Sequence, residues 1–268
     1  MRISRFAALL LLACALLVLP AAGLAASTSL SVAIVADDHL AIRPLELNHR
    51  DVVSLLNLVY EGLFEIDDNY QPQPKLAYAY SFSNDGRKVQ VTLRDDISFH
   101  NGQTLTSADV VATLDYMLEL AGFDENLDSE VPVADRGLYY STFYSIKSWE
   151  ATDEQTIVFT LRRASYGSLY ALTFPILPAS QVAADMPAGT GPYKYDGYEQ
   201  GSAIWLTAND GWWNRPPQVR YVRASIYDTA EQALNAFDTQ SVDIAMTRSI
   251  NASRYSGSLN TFSITART

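Results

Sequence analysis

Alternation of apolar and polar residues marks short strands along most of the chain. SLSVAIV (Ser29 to Val35), KVQVTLR (Lys88 to Arg94), QTIVFTLR (Gln155 to Arg162), AIWLTA (Ala203 to Ala208) and VRYVRASIY (Val219 to Tyr227) are rich in β-branched or aromatic residues, which fit a pleated, half-buried surface. Between them the apolar period lengthens. Val52, Val53, Leu56, Val59 and Tyr60 predict a helix capped by Asp51 and closed by Gly62. Ala233, Leu234 and Phe237 predict another, with Thr229 as N-cap and Gln232 at the capping-box position. Val110, Val111, Leu114 and Leu118 predict a third. Strands and helices mixed in this way indicate an α/β or mixed α+β protein.

The third helix is entered through FHNGQTLTSADV, Phe99 to Val110, directly after KVQVTLR. Asn101-Gly102 is a turn signal, because glycine accepts positive φ without steric cost. Thr106 reads as an N-cap, and Asp109 three residues later completes a capping-box pattern. Asp67-Asp68-Asn69 reads as a turn and Asp95-Asp96 as a strand exit. The acidic stretch from Gly122 to Asp135 has no clear period and reads as a surface loop. No internal repeat, heptad run or low-complexity linker is present. The chain ends on TFSITART, a strand-like pattern without a finishing helix or tail, and domains usually end at exposed flexible segments. This end reads as a cut.

The N-terminus changes the expected compartment. Arg2 and Arg5 precede the apolar run FAALLLLACALLVL, and Pro20 and small residues follow. This is the order of a secretory signal peptide, with residues 1–25 removed after Ala25. An uncleaved anchor is the alternative, since Phe6 to Ala26 is nearly long enough to span a bilayer; Pro20 and Gly23 weaken such a helix. Cys14 is the one cysteine in the sequence. After cleavage the chain would carry no disulfide, thiol nucleophile or cysteine metal site. LLAC, Leu11 to Cys14, faintly resembles a lipoprotein cleavage box, so lipid anchoring at Cys14 is a second possibility.

Composition then narrows the classes. With 268 residues, 48% of them hydrophobic, the chain can build a real core of one or two domains at ~100–200 residues each. The formal charge is -11 and becomes more negative if Arg2 and Arg5 are lost. An acidic surface repels phosphate backbones, which argues against nucleic acid as a partner. GxSxG, HExxH, the GxxxxGK[ST] phosphate loop and the dinucleotide GxGxxG are all absent. His39, His49 and His100 show no ligand-like spacing. His39 follows Asp37 and Asp38, a trio that could hold a cation but equally forms a solvated loop. The Asp67-Asp68 and Asp95-Asp96 pairs do not oppose one another across a sugar as glycosidase chemistry requires. Asn251-Ala252-Ser253 matches a glycosylation sequon too short to weigh.

Aromatics carry more information. LYYSTFY, Leu138 to Tyr144, holds three tyrosines and a phenylalanine in seven residues. Such a cluster lines a cleft, where tyrosine offers an apolar face and a polar tip, or covers a neighbouring sheet. Trp212-Trp213 follows a strand and precedes the turn Asn214 to Pro217, under which the pair is expected to pack.

From Leu58 to Leu118 the chain resembles the family 5 extracellular solute-binding proteins, the peptide-, nickel- and oligosaccharide-binding receptors of bacterial ABC importers. The resemblance is carried in order by YEGL (Tyr60 to Leu63), Pro74 to Ala77, Asp85-Gly86, and TLRDDISFHNG followed by LTSADV. GTGPYKYDGYEQGSAIWLTANDGWWN, Gly189 to Asn214, and SVDIAM, Ser241 to Met246, extend it over nearly all of the chain after residue 25.

The resemblance implies a type II lobe of the periplasmic-binding-protein kind with a small inserted subdomain. Residues 26–50 and 165–268 would form the ligand-binding lobe, and 51–164 the insertion. Family members continue into a second, distal lobe that this chain would lack, and with it many contacts to ligand. The implied partners are a peptide or other small solute and the membrane permease of an importer, with no cofactor, no enzymatic activity and a monomeric state. A periplasmic or extracellular location follows. Cleft candidates on this basis are Asp37, Asp38, His39, Tyr139, Tyr140, Ala245, Met246, Thr247 and Arg248, the last able to meet a carboxylate or simply to lie at the surface. Structural roles are implied for Gly62, Gly102, Thr106, Asp109, Gly191 and Trp213. A partner-binding remnant without transport and a secreted hydrolase using scattered carboxylates are the alternatives.

Overall fold

The structure, a computed structural model, describes residues 28–36, 40–47, 49–122 and 138–245. Two main sheets organise it. The first is built from β1 (Ser29–Val35), β8 (Tyr193–Glu199), β9 (Ala203–Ala208), β10 (Tyr221–Tyr227) and β11 (Ile244–Ala245), in the order β11-β1-β10-β9-β8. β1 lies parallel to β10, with Ser29 opposite Tyr221 and Val35 opposite Tyr227, and parallel to β11, with Ala33 opposite Ala245. β9 and β8 complete the sheet by antiparallel pairing.

The second sheet has the order β4 (Ala77–Phe82), β5 (Lys88–Leu93), β7 (Thr156–Leu161), β6 (Ile146–Asp153), all antiparallel. Its inner strands alternate cleanly. Val89, Val91 and Leu93 are buried while Lys88 and Gln90 are exposed, and Ile157, Phe159 and Leu161 repeat the pattern. A short hairpin of β2 (Phe64–Ile66) and β3 (Pro72–Pro74) precedes it. The turn between them is closed by Asp67, whose Oδ1 accepts from the Asn69 and Gln71 amides at 2.8 and 2.9 Å.

One apolar cluster joins the sheets, running from Val32 and Ile34 through Tyr60 and Phe64 to Val89 and Phe159. β1 is covered on its other side too. There Ala33 meets Ala233 and Ala236 of helix α3 (Ala230–Asp238), and the small side chains let helix and strand lie close. Thr229 caps α3, accepting from the Gln232 amide at 3.2 Å.

Helix α1 (Arg50–Leu56) differs from its sequence reading. His49 occupies the N-cap position, and the Asp51 carboxylate accepts instead from the Val35 amide at 3.3 Å, tying the helix to the end of β1. The helix stops at Leu56, so Val59, Tyr60 and Gly62 lie beyond it. Gly62 is required by space rather than by helix closure: a Cβ there would fall 2.8 Å from the carbonyl oxygens of Thr173 and Phe174.

Helix α2 (Ser107–Ala121) is entered through a capping box. The Asp109 carboxylate accepts from the Thr106 amide at 2.9 Å and from its hydroxyl at 3.0 Å. Its other oxygen accepts from the Ala179 amide at 2.8 Å, so the cap also fastens the helix to a distant segment. Upstream, Gly102 adopts φ +85° and donates to the Phe99 carbonyl at 2.8 Å.

That turn has a tertiary purpose. His100, just before it, donates its amide to Gly189 O at 2.8 Å and places Nε2 3.0 Å from Gly191 O. On their other side, Gly191 and Tyr193 donate to the carbonyls of Val59 and Leu58, each at 2.9 Å. Three backbones are thus stacked. A Cβ on Gly189 would lie 1.9 Å from Val59 O, and one on Gly191 2.6 Å from Leu58 O. Replacing Gly189 with alanine is expected to cost about 3 kcal/mol or more, since backbone rather than a side chain would have to move. Gly102→Ala, in open space, should cost only the left-handed penalty of about 1–2 kcal/mol. Urea midpoints of the two variants check this; equal losses would refute the close-approach account.

Candidate functional site

Because β1, β10 and β11 run in the same direction, their carboxyl ends open on one edge of the sheet. Ligand crevices in open α/β sheets lie outside such ends. β1 leaves the edge at Ala36 toward residues 37–39, and β11 leaves it at Ala245 toward residues 246–248. With Ala33 opposite Ala245, the two exits are neighbours. Ala245 itself is half-buried there. Asp37, Asp38, His39, Met246, Thr247 and Arg248 lie outside the described residues, as does most of the loop expected from Gly122 to Asp135.

A strand as short as β11 needs an additional hold, and Asp243 supplies it. Its Oδ2 accepts from the Ser31 amide at 2.8 Å and the Ser31 hydroxyl at 2.6 Å, while its own amide donates to Ser31 O at 2.9 Å. Those two bonds to Ser31, the hydroxyl first, hold the Asp243 carboxyl below the usual carboxylate range. The loop leaving β1 is held on its return by Tyr198, whose hydroxyl donates to Leu40 O at 2.7 Å.

Tyr139 and Tyr140 lie between α2 and β6, and their environments differ. Tyr140 is buried and meets Tyr144 edge-to-face at 5.4 Å. Tyr139 packs edge-on against Phe174 at 6.3 Å and lines a concavity of about 330 Å³. Burial pushes its phenol up to about 12.

A third group was not anticipated from the sequence. Glu61, 5% exposed, sits where the stacked backbones meet. Its Oε2 accepts from the Thr190 hydroxyl at 2.9 Å and the Trp213 indole at 3.1 Å, and its Oε1 from the Trp212 indole at 3.2 Å. The tryptophan pair therefore grips a carboxylate instead of simply packing under the following turn. Lys75 adds charge: its Nζ is 3.7 Å from Glu61 and 2.8 Å from Glu65, and lies 5.6 and 5.8 Å from the two indole centroids. Arg94 stacks on Trp213 at 4.4 Å. Burial pushes the Glu61 carboxyl up, against the pull of the indole, hydroxyl and lysine donors. The signal available in the sequence was one acid inside the apolar run LVYEGLF.

A second concavity of about 480 Å³ opens beside this knot, lined in part by Glu61, Glu65, Lys75, Thr173 and Trp212. Thr173 also lines the Tyr139 concavity, so the two share a wall. Among the described residues no group of three or more His, Cys, Asp or Glu is placed to hold a metal ion.

The family model of the bacterial extracellular solute-binding proteins, family 5 (middle region), matches residues 71–260. The Glutathione-binding protein GsiB of Escherichia coli (strain K12) is 26% identical over 220 residues, covering 75% of this chain and 40% of GsiB. Protein XP55 of Streptomyces lividans is 28% identical over 198 residues, covering 69% and 33% respectively. Among solved structures, NikZ from Campylobacter jejuni in complex with Ni(L-His) superposes with a TM-score of 0.71 at 22% identity, covering 87% of this chain and 46% of NikZ. The ABC transporter-associated periplasmic binding protein DppA from Helicobacter pylori, in complex with peptide STSA, gives 0.69 at 20% identity, with 87% and 49% covered. These structural likenesses establish the fold. The chain spans less than half the length of each of these proteins.

The stacked backbones carry a pH dependence. Burial lowers the His100 pKa below the ordinary 6.5, opposed by its bond to Gly191 O and reinforced by nearby Lys194. The unfolded chain then binds the proton more readily, so this group removes stability as pH falls from about 6.5 through the depressed value. His100→Gln, which keeps a donor, should flatten that part of the stability curve. Urea unfolding at several pH values checks this, and an unchanged slope would refute it.

Proposed function

Since the chain belongs to the family 5 bacterial extracellular solute-binding proteins, we propose that it provides the solute-binding lobe of an ABC importer's receptor, taking peptides or similar small solutes. The observation that carries this reading is the placement of the β1 and β11 exits side by side at the carboxyl edge of three parallel strands. A solute lying along that edge would bond to main chain, with side pockets for its substituents.

In this reading residues 26–50 and 165–268 form the binding lobe and 51–164 the inserted subdomain. The segregation of β4 to β7 into a sheet of their own supports that division. Asp37 to His39 and Met246 to Arg248 follow the two strand exits, and Arg248 would pair with a solute carboxylate. Closure against a second lobe would be the signal read by a membrane permease. The mature chain acts outside the cytoplasm after loss of residues 1–25, or is anchored through Cys14. Among the described residues no helix is long and apolar enough to cross a membrane.

Half of a closed cleft supplies about half of its contacts. A micromolar site of about -8 kcal/mol would then become a millimolar one near -4 kcal/mol. At about ten times such a Kd, solute stabilises the fold by roughly 1.4 kcal/mol. For a chain of this size that raises the thermal midpoint by roughly 3–6 °C. Thermal unfolding of the mature chain against a panel of short peptides, glutathione and neutral sugars tests the proposal. A midpoint raised by some members and not others is expected; one that no solute moves would overturn the reading.

A further inference from the structure

The sheet edges are finished differently. β6, at one edge of the second sheet, carries Lys147, Glu150 and Asp153, and β8, at an edge of the first, carries Lys194, Asp196 and Glu199. Charge on an edge strand is a common guard against pairing with another chain. β4, the other edge of the second sheet, lacks it: no residue from Leu76 to Asn84 is charged. Its bulge falls at Ala77 to Ala79, which leaves the rest of the strand regular.

The outward main chain of that regular part is open. Ser83 donates to Lys88 O at 3.0 Å, and the register sets Ser81 opposite Gln90, Tyr80 opposite Val91 and Phe82 opposite Val89. Antiparallel partners alternate between bonded and non-bonded pairs. Counting back from Ser83, Ser81 bonds to β5, and the amides and carbonyls of Tyr80 and Phe82 face away from it. Neither amide meets an acceptor among the described residues. The side chains extend the same border. Tyr80 and Phe82 share a face with the buried Val91 and Val89. They continue it as an edge-to-face aromatic row, with centroids 5.4 Å apart from Phe64 to Tyr80, 6.1 Å from Tyr80 to Phe82 and 4.7 Å from Phe82 to Tyr166. Tyr166 is 77% exposed and Tyr78 70%, and an exposed aromatic patch of this kind marks an interaction surface.

We propose that β4 is an interface between two copies of this chain, paired antiparallel across a two-fold axis at Ser81. Two observations select a second copy as the occupant. The chain has a formal charge of -11, so copies repel over most of their surface, and the uncharged edge is where they meet without that cost. The edge is also its own complement. With Ser81 on the axis, Tyr80 lies opposite the partner's Phe82 and Phe82 opposite the partner's Tyr80. All four are outward-facing residues, so main-chain bonds and cross-strand aromatic pairs form together. The same patch serves both copies, and association closes at two. A single strand pair is a small interface, which puts dissociation in roughly the micromolar range. The proposal is independent of the solute reading and departs from the monomeric state that the resemblance implies.

Sedimentation equilibrium of the mature chain from about 1 to about 300 μM brackets that range, and a monomer–dimer equilibrium is expected. Ser81→Lys sets two ammonium groups face to face on the axis and should weaken the dimer about tenfold or more. Ser81 is exposed, so the thermal midpoint of the dilute monomer should stay unchanged, which separates lost pairing from lost folding. Ser81→Cys, in the chain from residue 26, should oxidise to a disulfide-linked dimer, because directly opposed residues of a non-bonded pair stand ~4.5 Å apart at Cα. Ser148→Cys, exposed on β6, should not. A monomer at every concentration, association beyond two copies, a dimer indifferent to Ser81→Lys, or equal cross-linking through Ser148→Cys overturns the interface and leaves the solute-binding reading standing.

Discussion

The carbonyl of Val59 occupies the space where any side chain on Gly189 would have to go, and much of the molecule is arranged around that approach. Two backbones come together only because Gly189 and Gly191 have no Cβ, and the gain is a set of direct main-chain bonds between distant segments. Once they are in place, His100 closes the stack from the far side through both its amide and its ring. Thr190, between the two glycines, is delivered to Glu61, and Trp212 and Trp213 complete the carboxylate's partners. A buried carboxylate with that many donors is tolerable, and stripping any one of them would leave charge poorly compensated. The knot thereby fixes the second sheet's apolar cluster against the first, upstream of any question of ligand.

Elements with a buried face were legible in the sequence, and elements at edges were not. β1 occupies the residues its alternation marks, and β5, β7, β9 and β10 fall within one or two residues of their patterns, because packing on one side imposes a period of two. β4 and β6 are edge strands of the second sheet, largely exposed, and their polar residues blur the alternation. β11 is two residues long and depends on Asp243 and Ser31, more than two hundred positions apart, which no local pattern reveals. Helix α1 misled for a related reason. Val59 and Tyr60 keep a helical spacing with Leu56 but belong to the stacked segment, where tertiary bonds from Gly191 and Tyr193 override the local period.

The site was readable to a smaller degree. Tyr139 stood out by composition, and the structure sets it in a cavity wall while Tyr140, its neighbour in sequence, is packed inward. Nothing local distinguishes the two. Glu61 was passed over because an acid within an apolar run acquires meaning only when its donors, from far along the chain, are seen converging on it.

The position of β1 has a consequence for how the chain is made. Its partners are Tyr221–Tyr227 on one side and Ile244–Ala245 on the other, so an interior strand of the sheet waits for segments made far later in the chain. Such non-local pairing delays folding, because loop-closure entropy is lost before any contact repays it. Throughout synthesis, SLSVAIV remains an unpaired apolar strand open to other polypeptides. That exposure ends only when β10 and β11 have been made and pair with it.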